Sequence, residues 1–391
     1  MLKPTDEICF TVECSEKLEP LEAVWRVMEA AQEISIHQTY DWCRAWTEAN
    51  GQKPLLITAA YASGPKSGET AFILPLALRK YGPLKVASYI GATHNNANFG
   101  VFSADFLEDA TLDIIRDIGA QIAELPLGVD FVYLDRQPEA RAEQKHPFLQ
   151  WPSVENHNLS FQVTLKDGFE AVLSRVNAKR RRKKFRVSER RLEELGGYEF
   201  ICAKSADEAH DLLDAFFRQK AERFEFQGLP DAFKEDRVKA VFHRLAEESL
   251  NQQRKMIELY AIRLKRPDGF ICAIAAISRK GGEIICQFSS IAMGETEQCS
   301  PGELLFYLLI KDCCDKEAQV FDFGVGDEQY KRSWCDKQTA HYDTMIAVTA
   351  AGKVGMFIAR LTTGIKRFVK RRPVFFRSAK ALRLWLAPAQ R

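Results

Sequence analysis

The chain has 391 residues, of which 46% are hydrophobic and 28% are charged. These values are typical of a globular protein with sizeable cores, and the length predicts two or three domains. No apolar run approaches the roughly 18 to 20 residues of a membrane-spanning helix, and Asp6 and Glu7 interrupt the start of the sequence, unlike a signal peptide. The sequence therefore predicts a cytosolic protein.

The net charge of +2 conceals a strong asymmetry. Residues 352–391 contain eleven Lys or Arg and no Asp or Glu, and residues 175–191 contain ten basic residues against Glu189 alone. These two segments carry +11 and +9, which leaves the rest of the chain at −18. Charge concentrated in this way predicts a partner of the opposite sign.

The ten cysteines are scattered and form no C-x-x-C pair, and the seven histidines have no spacing of zinc-ligand type. The sequence predicts reduced core thiols and no metal site.

The first half of the chain alternates between strand and helix patterns. Strands are predicted at 7–13, 54–61, 69–78, 84–90 and 130–134, and helices at 18–33 and 110–125.

The second half begins with a predicted strand at 158–165 and then a long helix at 169–195. The remaining predictions are strands at 198–203, 256–264, 270–279, 283–292, 319–323 and 341–348, and helices at 205–223, 230–250, 302–318 and 327–335.

Three of those strands form an antiparallel meander, and a helix, strand, helix and strand follow it. This order indicates an α+β fold that switches from antiparallel to parallel pairing, and such a fold opens a cleft where neighbouring strands part. We expect an N-terminal domain at 1–157, a C-terminal domain at 158–351 and a basic amphipathic tail at 352–391.

A helix start follows the meander and consists of Ser300, Pro301, Gly302, Glu303 and Leu304. The first N–H groups of a helix lack intrahelical partners, and the helix dipole favours an anion there. Gly302 would also allow a phosphate to approach the backbone. The same residues are compatible with an ordinary helix start, since Pro is common at the first helical position.

The segment FDFGVGDEQYKRSW, residues 321–334, places the carboxylates of Asp327 and Glu328, a phenol and an ammonium group next to a strand end. Its candidate functional residues are Asp322, Asp327, Glu328, Tyr330 and Lys331. A solvated helix face is the alternative interpretation of Glu328 and Lys331.

Four stretches together resemble the CelD-type GNAT proteins, a bacterial group named for cellulose biosynthesis: W-x-x-x-W at 42–46, FILPLALR at 72–79, the basic helix at 179–191 and DFGVGDEQYK at 322–331. The resemblance implies tandem GNAT-like domains related to the FemABX-type peptidyl transferases. It also implies acetyl-CoA or a longer acyl-CoA as donor, with the pyrophosphate at Ser300 to Leu304. GNAT enzymes usually carry R/Q-x-x-G-x-G/A there, whereas this chain has S-P-G-E.

In many GNAT enzymes a tyrosine on the helix after the parted strand protonates the leaving thiolate, and the resemblance implies this role for Tyr330. By the same resemblance Asp327 or Glu328 is the candidate general base, and Asp322 is a further candidate. Lys331 would pair with a carboxylate or hold an anionic substrate.

The function expected from these features is transfer of an acyl group from CoA to an amine, on a small-molecule or lipid-linked acceptor such as a cell-envelope or exopolysaccharide precursor. Two alternatives stay open: a non-catalytic accessory protein associated with membrane or polysaccharide, and a FemABX-like transferase that uses aminoacyl-tRNA.

The basic helix would then hold a glycan, a lipid head group or tRNA. The tail is compatible with a helix on an anionic membrane surface, which predicts a peripheral location at the inner face, or with packing on the domain.

Overall fold

The structure is a computed structural model that describes residues 8–31, 34–141, 144–251 and 255–372. Its strands are, in chain order, β1 (Phe10–Ser15), β2 (Pro54–Tyr61), β3 (Thr70–Tyr81), β4 (Leu84–Tyr89), β5 (Val101–Phe102), β6 (Phe131–Pro138), β7 (Ala140–Arg141), β8 (Gln144–Lys145), β9 (Ser153–Thr164), β10 (Tyr198–Cys202), β11 (Glu258–Leu264), β12 (Ile271–Lys280), β13 (Glu283–Ile291), β14 (Val320–Val325) and β15 (Lys337–Ala347).

The helices are, in chain order, α1 (Glu22–Ala31), α2 (Tyr40–Asn50), α3 (Ala104–Asp109), α4 (Leu112–Glu124), α5 (Gly168–Arg175), α6 (Ala178–Glu194), α7 (Ala206–Phe226), α8 (Asp236–Asn251), α9 (Pro301–Asp315), α10 (Gln329–Trp334) and α11 (Ala350–Arg371).

The chain divides into two compact units, and each contains strands and helices as an α+β fold requires. The first unit comprises the described residues up to Asn158 together with Ala340–Arg371, and the second comprises the described residues of Leu159–Thr339. This division differs from the predicted boundaries, because residues 340–371 pack with the first unit. Residues 373–391 of the predicted tail lie outside the described residues.

The sheet of the first unit has the strand order β1-β2-β3-β4-β6-β15. Adjacent strands of this sheet pair antiparallel, except for β4 and β6, which pair parallel. Aromatic side chains fill the space between this sheet and helices α3 and α4, with Phe148 stacked on Trp151 at 4.0 Å between ring centroids.

The second unit has the strand order β9-β14-β13-β12-β11-β10. The predicted meander is present, since β11, β12 and β13 pair antiparallel in sequence. Helix α9 packs on β11 and β12, and Phe216 of α7 and Phe242 of α8 pack against Phe288 of β13.

In the sheet of the second unit, the parallel strands β13 and β14 part after a short paired stretch. The two strands are in register only over 283–285 and 320–322, and β13 continues to Ile291 beyond that pairing. Beyond the paired residues, β14 leaves its regular register with β9 between Asp322 and Val325. The cleft that the strand order predicted lies where these strands part.

The helix predicted at 169–195 is two helices. Val176 is extended, which ends α5, and the side chain of Asn177 accepts a hydrogen bond from the backbone N–H of Arg180, which starts α6. An Asn cap inside a continuous helical pattern produced this break, because Asn competes for backbone N–H groups.

Candidate functional site

A cavity of about 590 Å³ lies at the parted strands of the second unit. Helix α7, the end of β13, the start of α9 and the segment from Glu328 to Trp334 form its walls. The lining residues are Lys220, Arg223, Phe224, Gln227, Leu229, Ser289, Ser290, Ile291, Glu297, Ser300, Gly302, Glu303, Phe306, Glu328, Tyr330 and Trp334.

Tyr330, the predicted proton donor, lies in the first turn of α10 and lines this cavity. Its ring stacks on Phe306 at 5.5 Å between centroids and meets Phe323 at 5.7 Å. Burial, with smaller contributions from Cys286 and Glu328, raises the pKa of Tyr330 well above its usual range. The phenol is protonated at neutral pH, as an ordinary tyrosine is, and its burial makes it a weaker acid.

Glu328 is the predicted carboxylate that lines the cavity. Its side chain is 54% exposed, and Lys331 Nζ lies 3.1 Å from its Oε2. Gly326, at φ 118°, makes room for this carboxylate, because a Cβ there would lie 2.9 Å from both Glu328 oxygens. The structure thus places Glu328, and not its neighbours, where it could accept a proton.

Lys331 is buried and is not among the residues that line the cavity. Its Nζ donates to the backbone oxygen of Val325 at 2.9 Å, in addition to pairing with Glu328. We assign it the role of holding the end of β14 and orienting Glu328.

Asp322 and Asp327 are also outside the lining of the cavity. Buried Asp322 accepts hydrogen bonds from Gln162 Nε2 and from the backbone N–H of Gly324, so it supports the turn. Asp327 pairs through both oxygens with Arg332. The proposed base role of these two carboxylates therefore lacks a path to the cavity in this arrangement.

The predicted anion-binding helix start forms another wall. Ser300 adopts a left-handed conformation with φ +55°, and Pro301 begins α9. Ser300, Gly302 and Glu303 line the cavity, whereas Pro301 and Leu304 are buried in the core. A Cβ on Gly302 would lie 3.0 Å from Ile291 Cγ2, so this glycine keeps the helix start close to β13.

Glu303 is neutralised by the basic helix α6. Its oxygens lie 2.6 Å from Arg181 Nη1 and 2.7 Å from Lys184 Nζ. Arg181 also lies 4.0 Å above the ring of Trp334. Burial lowers the pKa of Arg181, and the charge of Glu303 opposes that shift.

Other cations of the segment 175–191 also have partners within the second unit. Arg175 pairs with Asp336, and Arg182 pairs with Glu170. Arg191 donates to the backbone oxygen of Gln298. Part of the charge for which an external partner was expected is therefore balanced or hydrogen-bonded within the second unit.

Helix α7 contributes two cations to the cavity that no sequence motif indicated. Lys220 and Arg223, three residues apart and thus on one helix face, both line the cavity. Burial lowers the pKa of Lys220, and Glu328 opposes that shift. Arg223 Nη1 lies 3.6 Å from Glu297 Oε1. The i,i+3 spacing of two cations was the available signal, but it is common on solvated helix faces.

Across the described parts of the chain, no group of three or more His, Cys, Asp or Glu residues is arranged to hold a metal ion.

A family model described as an acetyltransferase (GNAT) domain matches residues 179–332. Every lining residue from Lys220 to Tyr330 lies within that match. The chain therefore carries a GNAT acetyltransferase domain, which supports acyl transfer as its class of reaction. No curated protein sequence matches the chain.

Solved structures share the fold at low identity. The crystal structure of FemX is 13% identical with a TM-score of 0.59, over 88% of this chain and 99% of FemX. The structure of L-PGS from Bacillus licheniformis is 13% identical with a TM-score of 0.50, over 91% and 98% of the two chains. A tandem GNAT protein from the clavulanic acid biosynthesis pathway is 8% identical with a TM-score of 0.44, over 87% and 99%. The predicted α+β fold is confirmed, and the family match shows a GNAT domain over residues 179–332.

Proposed function

We propose that this protein is an N-acyltransferase that moves an acyl group from acyl-CoA to an amine. The observation that carries the proposal is the position of Tyr330, a half-buried phenol that lines the same cavity as the first turn of α9. A proton donor and a site for an anionic donor molecule thus share one space within the matched GNAT domain.

Acyl-CoA carries phosphate groups at one end and an apolar acyl chain at the other, and the cavity has a wall that complements each end. The start of α9 supplies the positive end of a helix dipole, and Lys220 and Arg223 add two cations for phosphate groups. Phe224, Leu229 and Ile291 supply an apolar surface for the acyl chain. The residues present therefore fit acetyl-CoA or a longer acyl-CoA.

In the reaction, the amine nitrogen forms a bond to the thioester carbonyl carbon while the carbon–sulfur bond breaks. Glu328, directly or through water, takes the proton that the amine loses. Tyr330 gives its proton to the departing sulfur, and the two protein groups then exchange a proton with solvent. Lys331 holds Glu328 in place, since its ammonium group lies 3.1 Å from the Glu328 carboxylate.

The acceptor that we propose is an amine on a cell-envelope or exopolysaccharide precursor, either free or linked to lipid. Its support is the resemblance of residues 322–331 and the other motifs to the CelD-type group.

Aminoacyl-tRNA is the second candidate donor. The fold likeness to FemX favours it, together with the resemblance to FemABX-type transferases and the basic helix α6. It delivers an acyl group on a phosphate-bearing carrier, so it needs the same proton donor.

A calorimetric titration of the full chain with acetyl-CoA and longer acyl-CoAs tests the first donor. We expect saturable binding that is lost in Gly302→Val, because the added side chain meets Ile291. Gly364→Val is the matched control, since the same change at this helical glycine of α11 meets nothing within 4 Å.

No binding of any acyl-CoA by the wild-type chain would contradict the acyl-CoA proposal. In that case, transfer that ribonuclease abolishes would establish aminoacyl-tRNA as the donor. Absence of transfer from either donor would support the non-catalytic accessory function.

A further inference from the structure

Helix α11 of the first unit lies unusually close to the sheet. Gly352, Gly355, Ala359 and Thr363 form its buried face. A Cβ on Gly352 would lie 1.8 Å from the backbone oxygen of Asp130, and a Cβ on Gly355 would lie 2.4 Å from Leu84 Cδ1. Only glycine permits this approach, so the two glycines determine which side of the helix faces the sheet.

The opposite side of α11 is apolar and exposed. Val354 is 60% exposed, Phe357 69%, Ile358 47%, Leu361 53% and Ile365 53%. At 3.6 residues per turn these five residues span a stripe of about 100° on the helix surface. A continuous exposed stripe of this kind marks an interaction surface.

Cations accompany the stripe without any acidic residue. Residues 350–372 contain seven Lys or Arg and no Asp or Glu. By helical periodicity Lys353, Arg360, Arg367 and Arg371 follow one edge of the stripe, one or two turns apart. Arg367 and Arg371 pair with Glu155 of the same unit, and this pairing fixes the end of the helix.

We infer that the apolar stripe of α11 docks on an anionic lipid bilayer, with the helix parallel to the surface. The stripe would enter the boundary between head groups and acyl chains, and Lys353 and Arg360 would contact anionic head groups. In the part of the chain that the structure describes, no helix is long and apolar enough to cross a bilayer.

Charge decides between the bilayer and other occupants. Residues 373–391 contain four more Lys or Arg and no Asp or Glu, so packing them on the stripe would bring like charges together. A second copy of α11 would present the same row of cations to the first. An anionic bilayer is the occupant that complements both the apolar stripe and the cations.

The test is co-sedimentation of the full chain with vesicles of phosphatidylcholine alone or of phosphatidylcholine mixed with phosphatidylglycerol. We expect binding to the mixed vesicles that weakens with added salt. Phe357→Ser combined with Leu361→Ser should lower the apparent affinity for the vesicles by about tenfold or more, because the variant no longer inserts these two large apolar side chains into the bilayer. The matched control is Val27→Ser, since Val27 is 69% exposed on α1 of the same unit.

Lys353→Gln combined with Arg360→Gln should also weaken binding and reduce its dependence on salt. Equal binding to both vesicle types, or wild-type binding by the Phe357→Ser/Leu361→Ser chain, would overturn the inference. So would a wild-type chain that sediments as a dimer and becomes monomeric in that variant, since the occupant would then be a second copy. The acyl-donor titration is independent of these results.

Discussion

Arg181 of α6 and Glu303 in the first turn of α9 form a nearly buried ion pair, with 2.6 Å between Nη1 and Oε2. Side-chain exposure is 5% for Arg181 and 19% for Glu303. The guanidinium group of Arg181 also covers Trp334, which lines the cavity. This pair therefore fixes the start of α9, where the proposed donor binds, to the long basic helix.

Replacing Arg181 with Met should destabilise the protein by about 3 kcal/mol, because removal of one partner leaves a poorly solvated carboxylate with Lys184 alone. Urea unfolding measures this change. Arg182→Met is the control, since its pair with Glu170 has side chains that are 48% and 76% exposed, and such surface pairs contribute less than about 1 kcal/mol. Equal unfolding midpoints for the two variants would refute a structural role for the buried pair.

Tyr330→Phe should lower kcat by about tenfold or more, because it removes the proton donor and leaves the packing on Phe306 intact. Steady-state kinetics and a thermal melt of the same sample separate lost chemistry from lost folding. Tyr307→Phe serves as the control, since Tyr307 is on α9 but does not line the cavity. Wild-type turnover by Tyr330→Phe would exclude the phenol from the mechanism.

Glu328→Gln should lower kcat by about a hundredfold, whereas Asp327→Asn should retain activity close to that of the wild type. The difference follows from position, since Glu328 lines the cavity and Asp327 pairs with Arg332 outside its lining. Steady-state kinetics of the two variants measures this difference. Greater loss of activity in Asp327→Asn would assign the base to that residue instead.

Acid should destabilise the first unit through its buried and half-buried histidines. Burial lowers the pKa of His146 to about 3 and the pKa values of His94, His157 and His341 to about 4, from 6.5. These pKa values are lower in the folded state than in the unfolded state. The contribution of the neutral histidines to the free energy of unfolding is therefore complete above about pH 6.5 and decreases as the pH falls toward 3 to 4.

Tryptophan fluorescence during urea unfolding, at neutral pH and at about pH 4.5, measures this loss. Trp25, Trp42, Trp46 and Trp151 report on the first unit. In the wild-type chain His146 Nδ1 accepts a hydrogen bond from the N–H of Phe148. The amide oxygen of Asn in His146→Asn can replace this acceptor but does not titrate, so the dependence of the unfolding midpoint on pH should become weaker. An unchanged dependence would show that His146 does not contribute.

Local patterns predicted much of the fold. The strands predicted at 256–264, 270–279 and 283–292 form the observed antiparallel meander, and the helix predicted from residue 205 begins where Ser205 accepts a hydrogen bond from the N–H of Glu208. These features depend on residues close in sequence, so their side-chain chemistry is readable before folding. The placement of Tyr330 after a parted strand also came from a local motif.

The sequence by itself thus determined the order of the elements, the domain type and the segments that carry polar chemistry. Tertiary structure alone decided that Glu328 enters the cavity while Asp327 does not, because Gly326 and Lys331 hold Glu328 there and Asp327 pairs with Arg332. It also paired Arg181 with Glu303 across 122 positions and exposed one stripe of α11. Such outcomes depend on contacts between distant residues, and local periodicity contains no information about which distant residues meet.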